Sequence, residues 1–194
     1  MEAGNSIISQ PDPDIIDRCR KRDEKAFRLL VEQFQSYAFS LAFRLVLNED
    51  DAKDIVQESF IRVWRHISHF DSSVLFTTWL YKIVTNLCYD NLKSGRRRNN
   101  AKLELADNQA LLTPGDNISR DFMNKDLIRK IRQLSKDLTI KQRMVFVLRD
   151  LQELSVKEVC KILNLSEGAV KTNLYLARLN IRERILVSEM NGGW

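Results

Sequence analysis

Residues 155–187 read SVKEVCKILNLSEGAVKTNLYLARLNIRERILV, and this stretch decides the fold. Ser155-x-x-Glu158 is a capping box, in which hydroxyl and carboxylate satisfy the free N–H groups that open a helix. The helix it starts runs through Val159 to Leu163 and meets a turn of Asn164, Leu165 and Ser166. A second helix follows, with Val170, Leu174, Ala177 and Ile181 in one apolar stripe. Its other face carries Glu167, Lys171, Thr172, Asn173, Tyr175, Arg178 and Arg182. This is the pattern of a helix-turn-helix, whose second helix enters the major groove N-terminal end first. Lys171, Thr172 and Asn173 then reach base edges, and Arg178 and Arg182 hold phosphates. Arg143 and Arg149 stand on the neighbouring helix and add backbone contacts. A plain helical hairpin with a solvated face explains the stripe, but not the agreement of turn, caps and charge.

Working outward, Thr139-x-x-Gln142 is a second capping box, opening a helix through Met144, Val145, Leu148 and Leu151. Before it, Leu127, Ile131, Leu134 and Leu138 mark a helix that begins near Ser119. Residues 99–118 are polar, hold Pro114, Gly115 and four Asn, and predict a linker with a transient helix near 103–112. The N-terminal half predicts a helix from Asp14 behind Pro11 and Pro13, then separate helices over 23–34 and 36–47. Asn48 caps a fourth, with Glu49, Asp50 and Asp51 at the positive end of its dipole. A loop over 66–78 and a fifth helix over 78–93 follow, with Gly95 and Arg96, Arg97 and Arg98 ending the latter. The expected fold is all-α: two small helical domains joined by a flexible linker.

Composition agrees. Six Gly and three Pro in 194 residues are too few for the turns of an all-β chain. The longest nearly apolar run, 37–47, carries Ser40 and Arg44 and falls short of the ~20 residues that span a bilayer. The segment MEAGNSIISQPDPD has neither the basic region nor the apolar core of a signal peptide. Cys19, Cys88 and Cys160 are odd in number and far apart, which predicts buried free thiols in a reducing cytoplasm. His66 and His69 have no nearby cysteine pair, so no metal site is expected, and no cofactor or catalytic motif is found. The net charge of +5 hides a pattern. Residues 1–60 hold eight basic and twelve acidic side chains, whereas 61–103 hold eight and two. Residues 104–123 hold one and four, and 124–194 hold fourteen and eight. Two separated basic blocks predict two contacts with a polyanion.

Two further helix faces carry chemistry. Trp79, Lys82, Asn86, Tyr89 and Lys93 fall within an arc of about 80°, beside a separate apolar face of Leu80, Ile83, Val84 and Leu87. Cations that follow a backbone and aromatics that stack unpaired bases suit single-stranded nucleic acid, although Trp79 alone also fits a core position. Asp51, Asp54, Gln57 and Glu58 share one side of the fourth helix, and predict a docking surface for a basic protein partner. A solvated face with favourable dipole placement is the alternative.

These residues resemble a known family. DAKDIVQESFIRVWR (51–65), FTTWLYKIVTN (76–86) and the arginine run at 96–98 are similar to region 2 of bacterial sigma factors, and residues 138–185 resemble region 4. The short length and the lack of intervening regions resemble the extracytoplasmic-function (ECF) group. The resemblance implies region 2 over 8–100, a linker over 101–123 and region 4 over 124–187. It implies that Asp51, Asp54, Gln57 and Glu58 dock on the large catalytic subunit of core RNA polymerase. The minus-ten element falls to Trp79, Lys82, Asn86, Arg96 and Arg97. A loop over 69–74, with His69, Phe70, Asp71 and Ser72, captures an extruded base. The minus-thirty-five duplex falls to Ser166, Glu167, Lys171, Thr172, Asn173, Tyr175 and Arg178. An anti-sigma partner is implied as well. Glu153 and Cys160 stand where the family more often has Gly and Ala, and Asn173 where a basic or hydroxyl residue is common. Two rivals fit less well. A receiver-type regulator needs β-branched strand runs that residues 1–100 lack, and a nuclease or recombinase needs a catalytic constellation.

Overall fold

The computed structural model describes residues 10–105 and 138–190, with the side chains of 96–105 and 188–190 left aside. The expected helix through Leu127, Ile131 and Leu134, residues 106–123 of the expected linker, and the side chains of Arg96 and Arg97 lie outside the described residues. Every regular element described is helical.

Helix α1, Pro13–Arg20, starts where Asp12 accepts the Asp14 N–H at 2.9 Å, with proline at the first position, where its missing N–H costs nothing. Asp23 then caps α2 by accepting from the N–H groups of Lys25 and Ala26. The guanidinium of Arg18, 2.8 Å away, holds the Asp23 carboxyl below the usual carboxylate range. Helix α2 is continuous over Glu24–Val46, where two helices were expected. Ala26, Leu30, Phe34, Ala38, Leu41 and Leu45 form one unbroken buried stripe, and the junction at Gln35 and Ser36 has no breaker. Leu47 ends α2 at φ 56°, and Asn48 caps α3, Glu49–His66, by accepting the Asp51 N–H at 3.0 Å.

A single 3₁₀ turn, Ile67–His69, and a short loop lead into α4, Phe76–Leu105. Its first N–H is served from a distance: the side-chain oxygen of Gln10 accepts from the Phe76 N–H at 2.9 Å, and the Gln10 side-chain NH₂ donates to the Thr77 hydroxyl at 3.1 Å. Helix α4 does not stop at Gly95 but crosses into the expected linker. A glycine costs a helix only about 1 kcal/mol relative to alanine, and no proline follows it before residue 114.

The C-terminal unit contains α5 (Ile140–Phe146), a π turn (Val147–Leu151), α6 (Val156–Leu163) and α7 (Glu167–Met190). Both expected capping boxes are present, at Thr139 with Gln142 and at Ser155 with Glu158. Asn164 takes φ 52° at the end of α6, and Ser166 accepts the Ala169 N–H at the start of α7. Val170 and Ala177 are buried, with Leu174 half-buried between them. The two units pack on each other: α4 lies against α5 and α6. Arg44 donates to the Leu151 carbonyl at 2.6 Å, and Arg143 to the Leu45 carbonyl at 3.3 Å.

Glu153 follows the π turn at φ 56° and is exposed. This left-handed backbone costs an L-residue about 1–2 kcal/mol, whereas glycine loses about 0.5–1 kcal/mol through its freer unfolded chain. Glu153→Gly should therefore raise the unfolding free energy by about 0.5–1 kcal/mol in urea denaturation, and Glu153→Val should lower it.

Candidate partner and nucleic-acid interfaces

Three surfaces emerge from these elements. The first lies between α2 and α3. Phe27, Val31 and Phe39 face Val56, Ile61 and Trp64 across an open groove of about 860 Å³. The Phe27 and Trp64 rings lie 4.7 Å apart at its floor. Of the residues expected here, Gln57 lines the groove, Asp54 is exposed and Asp51 half-buried. Glu58 accepts from Arg62 at 2.9 Å, so its charge is partly answered within its own helix. The apolar lining went unrecognised in the sequence because half of it comes from α2. Ile61, 37% exposed and off the core stripe of α3, was the available signal.

The second surface is the N-terminal half of α4 with the loop before it. Lys82 and Asn86 are exposed, and Leu80, Val84 and Cys88 on the other side are buried. Trp79 is half-buried, its ring 4.9 Å from that of Phe70 and 5.9 Å from that of Phe76. Phe70, expected at the loop surface, is instead 7% exposed. An apolar ring beside two others is drawn into the core, so it supports Trp79 rather than facing solvent. His69, Asp71 and Ser72 are exposed. Asp71 accepts from the Ser73 hydroxyl at 2.6 Å and from the Ser73 N–H at 2.9 Å, which holds its carboxyl below the usual range. The Lys93 ammonium lies 5.8 Å from the centre of the Tyr89 ring. Asn86 and Tyr89 border a cleft of about 200 Å³ whose other wall is Lys141, Met144, Leu163 and Leu165 of the C-terminal unit.

The third is the outer face of α7. Ser166, Glu167, Lys171, Thr172 and Tyr175 are exposed. Lys171 sits 3.7 Å from Glu167. Asn173 differs from expectation: it is half-buried and its amide donates back to the Ala169 carbonyl at 2.8 Å. Arg178 gives two parallel bonds, 2.8 and 2.7 Å, to the carboxylate of Asp150 in the π turn. A planar fork matches a carboxylate as well as a phosphate, so this cation also fixes α7 against the π turn. Asp150 was missed because no local pattern pairs residues 28 positions apart.

Among the described residues no group of three or more His, Cys, Asp or Glu could hold a metal ion, and no helix is long and apolar enough to cross a membrane.

An acid-edged groove, an aromatic and cationic helix and a helix-turn-helix on one helical chain make a DNA-binding transcription factor. Residues 30–98 match the family model for Sigma-70 region 2, and residues 128–181 that for Sigma-70, region 4. The ECF RNA polymerase sigma factor SigW of Bacillus subtilis is 31% identical over 176 residues, which span 88% of this chain and 94% of that protein. The structure of CnrH in complex with the cytosolic domain of CnrY aligns with TM-score 0.66 at 22% identity, covering 90% of this chain and 96% of CnrH. That of the sigma factor RpoE with the anti-sigma factor NepR from Bartonella quintana aligns at 0.62 and 20% identity, covering 84% and 98%. The chain belongs to the ECF sigma factors of the sigma-70 family.

The thiols report on the packing beneath these surfaces. Cys19 and Cys88 are buried and Cys160, expected to be buried, is half-exposed at the α6 surface. Burial pushes the Cys19 thiol up to about 11 and that of Cys88 up to about 12. At pH 8 neither forms the nucleophilic thiolate. An alkylating reagent should leave both intact in the native protein and modify them on unfolding, as read by peptide mass mapping. Native labelling of Cys88 would show that α4 is not packed as described.

Proposed function

We propose that this sigma factor divides its work among the three surfaces, within the cytoplasm and without catalysis of its own. The α2–α3 groove, with Gln57 and Ile61 at its lip and Asp54 and Asp51 at its acidic edge, seats a helical segment of the large catalytic subunit of core polymerase. The loop 69–74 with Trp79, Lys82 and Asn86 takes the unpaired non-template strand of the minus-ten element, and Arg96 and Arg97 extend the cationic path. The outer face of α7 reads the minus-thirty-five duplex. Region 2 then spans 8–100, the linker 101–123, whose first five residues continue α4, and region 4 124–187. An anti-sigma partner of the kind that accompanies RpoE in its complex with NepR completes the assignment.

One observation carries the reading. A single helix buries Leu80, Val84 and Cys88 and exposes Lys82 and Asn86 beside a braced Trp79. A core helix has no need of that strip, whereas an unpaired strand does. Promoter melting follows from differential affinity. The protein holds open DNA more tightly than closed DNA, so binding shifts the equilibrium. The acidic edge of α3 repels phosphates and suits a protein partner instead.

Trp79→Ala should lower open-complex formation by reconstituted holoenzyme about 5- to 150-fold, the ~1–3 kcal/mol of one stacked base. Upstream duplex binding should stay within about twofold, and equal loss of both would remove the stacking role. Gln57→Ala combined with Ile61→Ala should weaken binding to core polymerase about tenfold, as expected for interface anchors. The unfolding midpoint should not move, because both side chains face solvent. Unchanged core affinity would place the docking surface elsewhere.

A further inference from the structure

We propose that Arg20 is a positioning residue for strand capture: it fixes the Ser72 hydroxyl as an outward hydrogen-bond donor that selects an extruded base bearing an acceptor. The proposal rests on the reading of loop 69–74 as the base-capturing loop.

Arg20 is the last residue of α1, 50 positions before the loop. Its Nη2 donates to the Phe70 carbonyl at 2.7 Å and to the Ser72 hydroxyl oxygen at 2.9 Å. Its Nη1 donates to the Asp17 carboxylate at 2.8 Å, which orients the guanidinium from the other side. Besides the packed Phe70 ring and the Asp71–Ser73 bonds, the loop's own backbone bonds are those of Phe70 to Ile67 and of Val74 to Asp71, so Arg20 is its link to α1.

The chemistry of the donor fixes the role of the acceptor. A guanidinium has five N–H groups and no acceptor, so the Ser72 oxygen must receive and its own hydrogen must point elsewhere. Ser72 is exposed, and among the described residues its hydroxyl has no acceptor. A hydroxyl that accepts from a cation is also polarised into a better donor. Of the flanking polar side chains, Ser73 already gives its hydroxyl hydrogen to Asp71, and the Asp71 carboxylate is an acceptor with no hydrogen to give. Ser72 is thus the free directional donor of the three.

The same guanidinium ties that donor to the stacking surface. The Phe70 carbonyl is held by Arg20 while the Phe70 ring lies 4.9 Å from Trp79. A base stacked at Trp79 therefore meets the Ser72 O–H at a fixed offset. A carbonyl oxygen or ring nitrogen there gains a hydrogen bond. The Ser72 oxygen keeps one lone pair, but the guanidinium beside it weakens that lone pair as an acceptor, so an amino group there is disfavoured against a carbonyl oxygen or ring nitrogen.

The test uses full-length chain and core polymerase on fork-junction DNA with a short randomised unpaired strand, reading relative affinity for each base at each position. Arg20→Ala and Ser72→Ala should each cut the wild-type preference at one and the same position about tenfold. The double variant should do no more than either alone, because the two act as one unit. Arg20→Lys should lose the preference as well, since one ammonium cannot reproduce the fork. Retention of the preference in Arg20→Ala, an equal loss of affinity for every base, or additive effects in the double variant would overturn the role of Arg20. Should Arg20→Ala fail to fold, Ser72→Ala, which removes only an exposed hydroxyl, decides alone: a retained preference rejects the proposal. A wild-type holoenzyme with no base preference anywhere in the strand would instead reject the capture reading itself, and this proposal with it.

Discussion

Four aromatic rings meet where α4 begins. Phe34 from α2 lies 4.9 Å from Phe76, Phe76 lies 5.8 Å from Phe70, and Phe70 lies 4.9 Å from Trp79. Each ring of this size buries on the order of 150–250 Å², and together they join the helix, the loop before it and the neighbouring helix. The loop cannot move without drawing Phe70 out of the cluster. The exposed edge of Trp79 cannot tilt without unseating its neighbours. Such stiffness is what the proposed stacking role requires, because a flexible platform would spend its stacking energy on its own ordering.

The same constraint governs the rest of region 2. Helix α4 is long and central, packed against α2 and α3 and also against α5 and α6. It can expose a polar strip at Lys82 and Asn86 only because Leu80, Val84 and Cys88 are gathered inward. Helix α3 solves a three-way version of the problem. Ala52, Ile55 and Val63 turn inward, Asp51 and Asp54 form an acidic edge, and Gln57, Ile61 and Trp64 look into the groove. The acidic groove edge and the aromatic and cationic strip thus stand on different helices of one small bundle. Region 4 uses a tighter device, in which a π turn, Asp150 and Arg178 fix α7 in place.

Much of this was legible in the order of residues. The caps at Asn48, Thr139 and Ser155 are local chemistry over a few positions, and each stands where the pattern puts it. Helix boundaries at Ser36 and Gly95 were misread because propensity is weak. At Ser36 a continuous buried stripe outweighs one poor helix former, and at Gly95 a lone glycine costs too little to end the helix. The members of the site that escaped notice share one property: Val31 and Phe39 in the groove, Asp150 beside Arg178 and Arg20 under the loop act on partners far away in sequence. Phe70 and Asn173 showed the converse, since their local polarity or position suggested the surface and packing turned them inward.

The sequence by itself determined that the chain is helical, that it carries two motif blocks in order, and which faces are acidic, cationic or apolar. These follow from periodicity, capping and charge, which are set within a few residues of one another. Only the tertiary structure decided that α2 and α3 leave a groove between them, that Arg20 reaches the loop, that Arg178 is held by Asp150, and that the two units lie against each other with Arg44 on the Leu151 carbonyl. Those are contacts between segments tens of residues apart. Their existence depends on how whole helices pack, which no local pattern encodes.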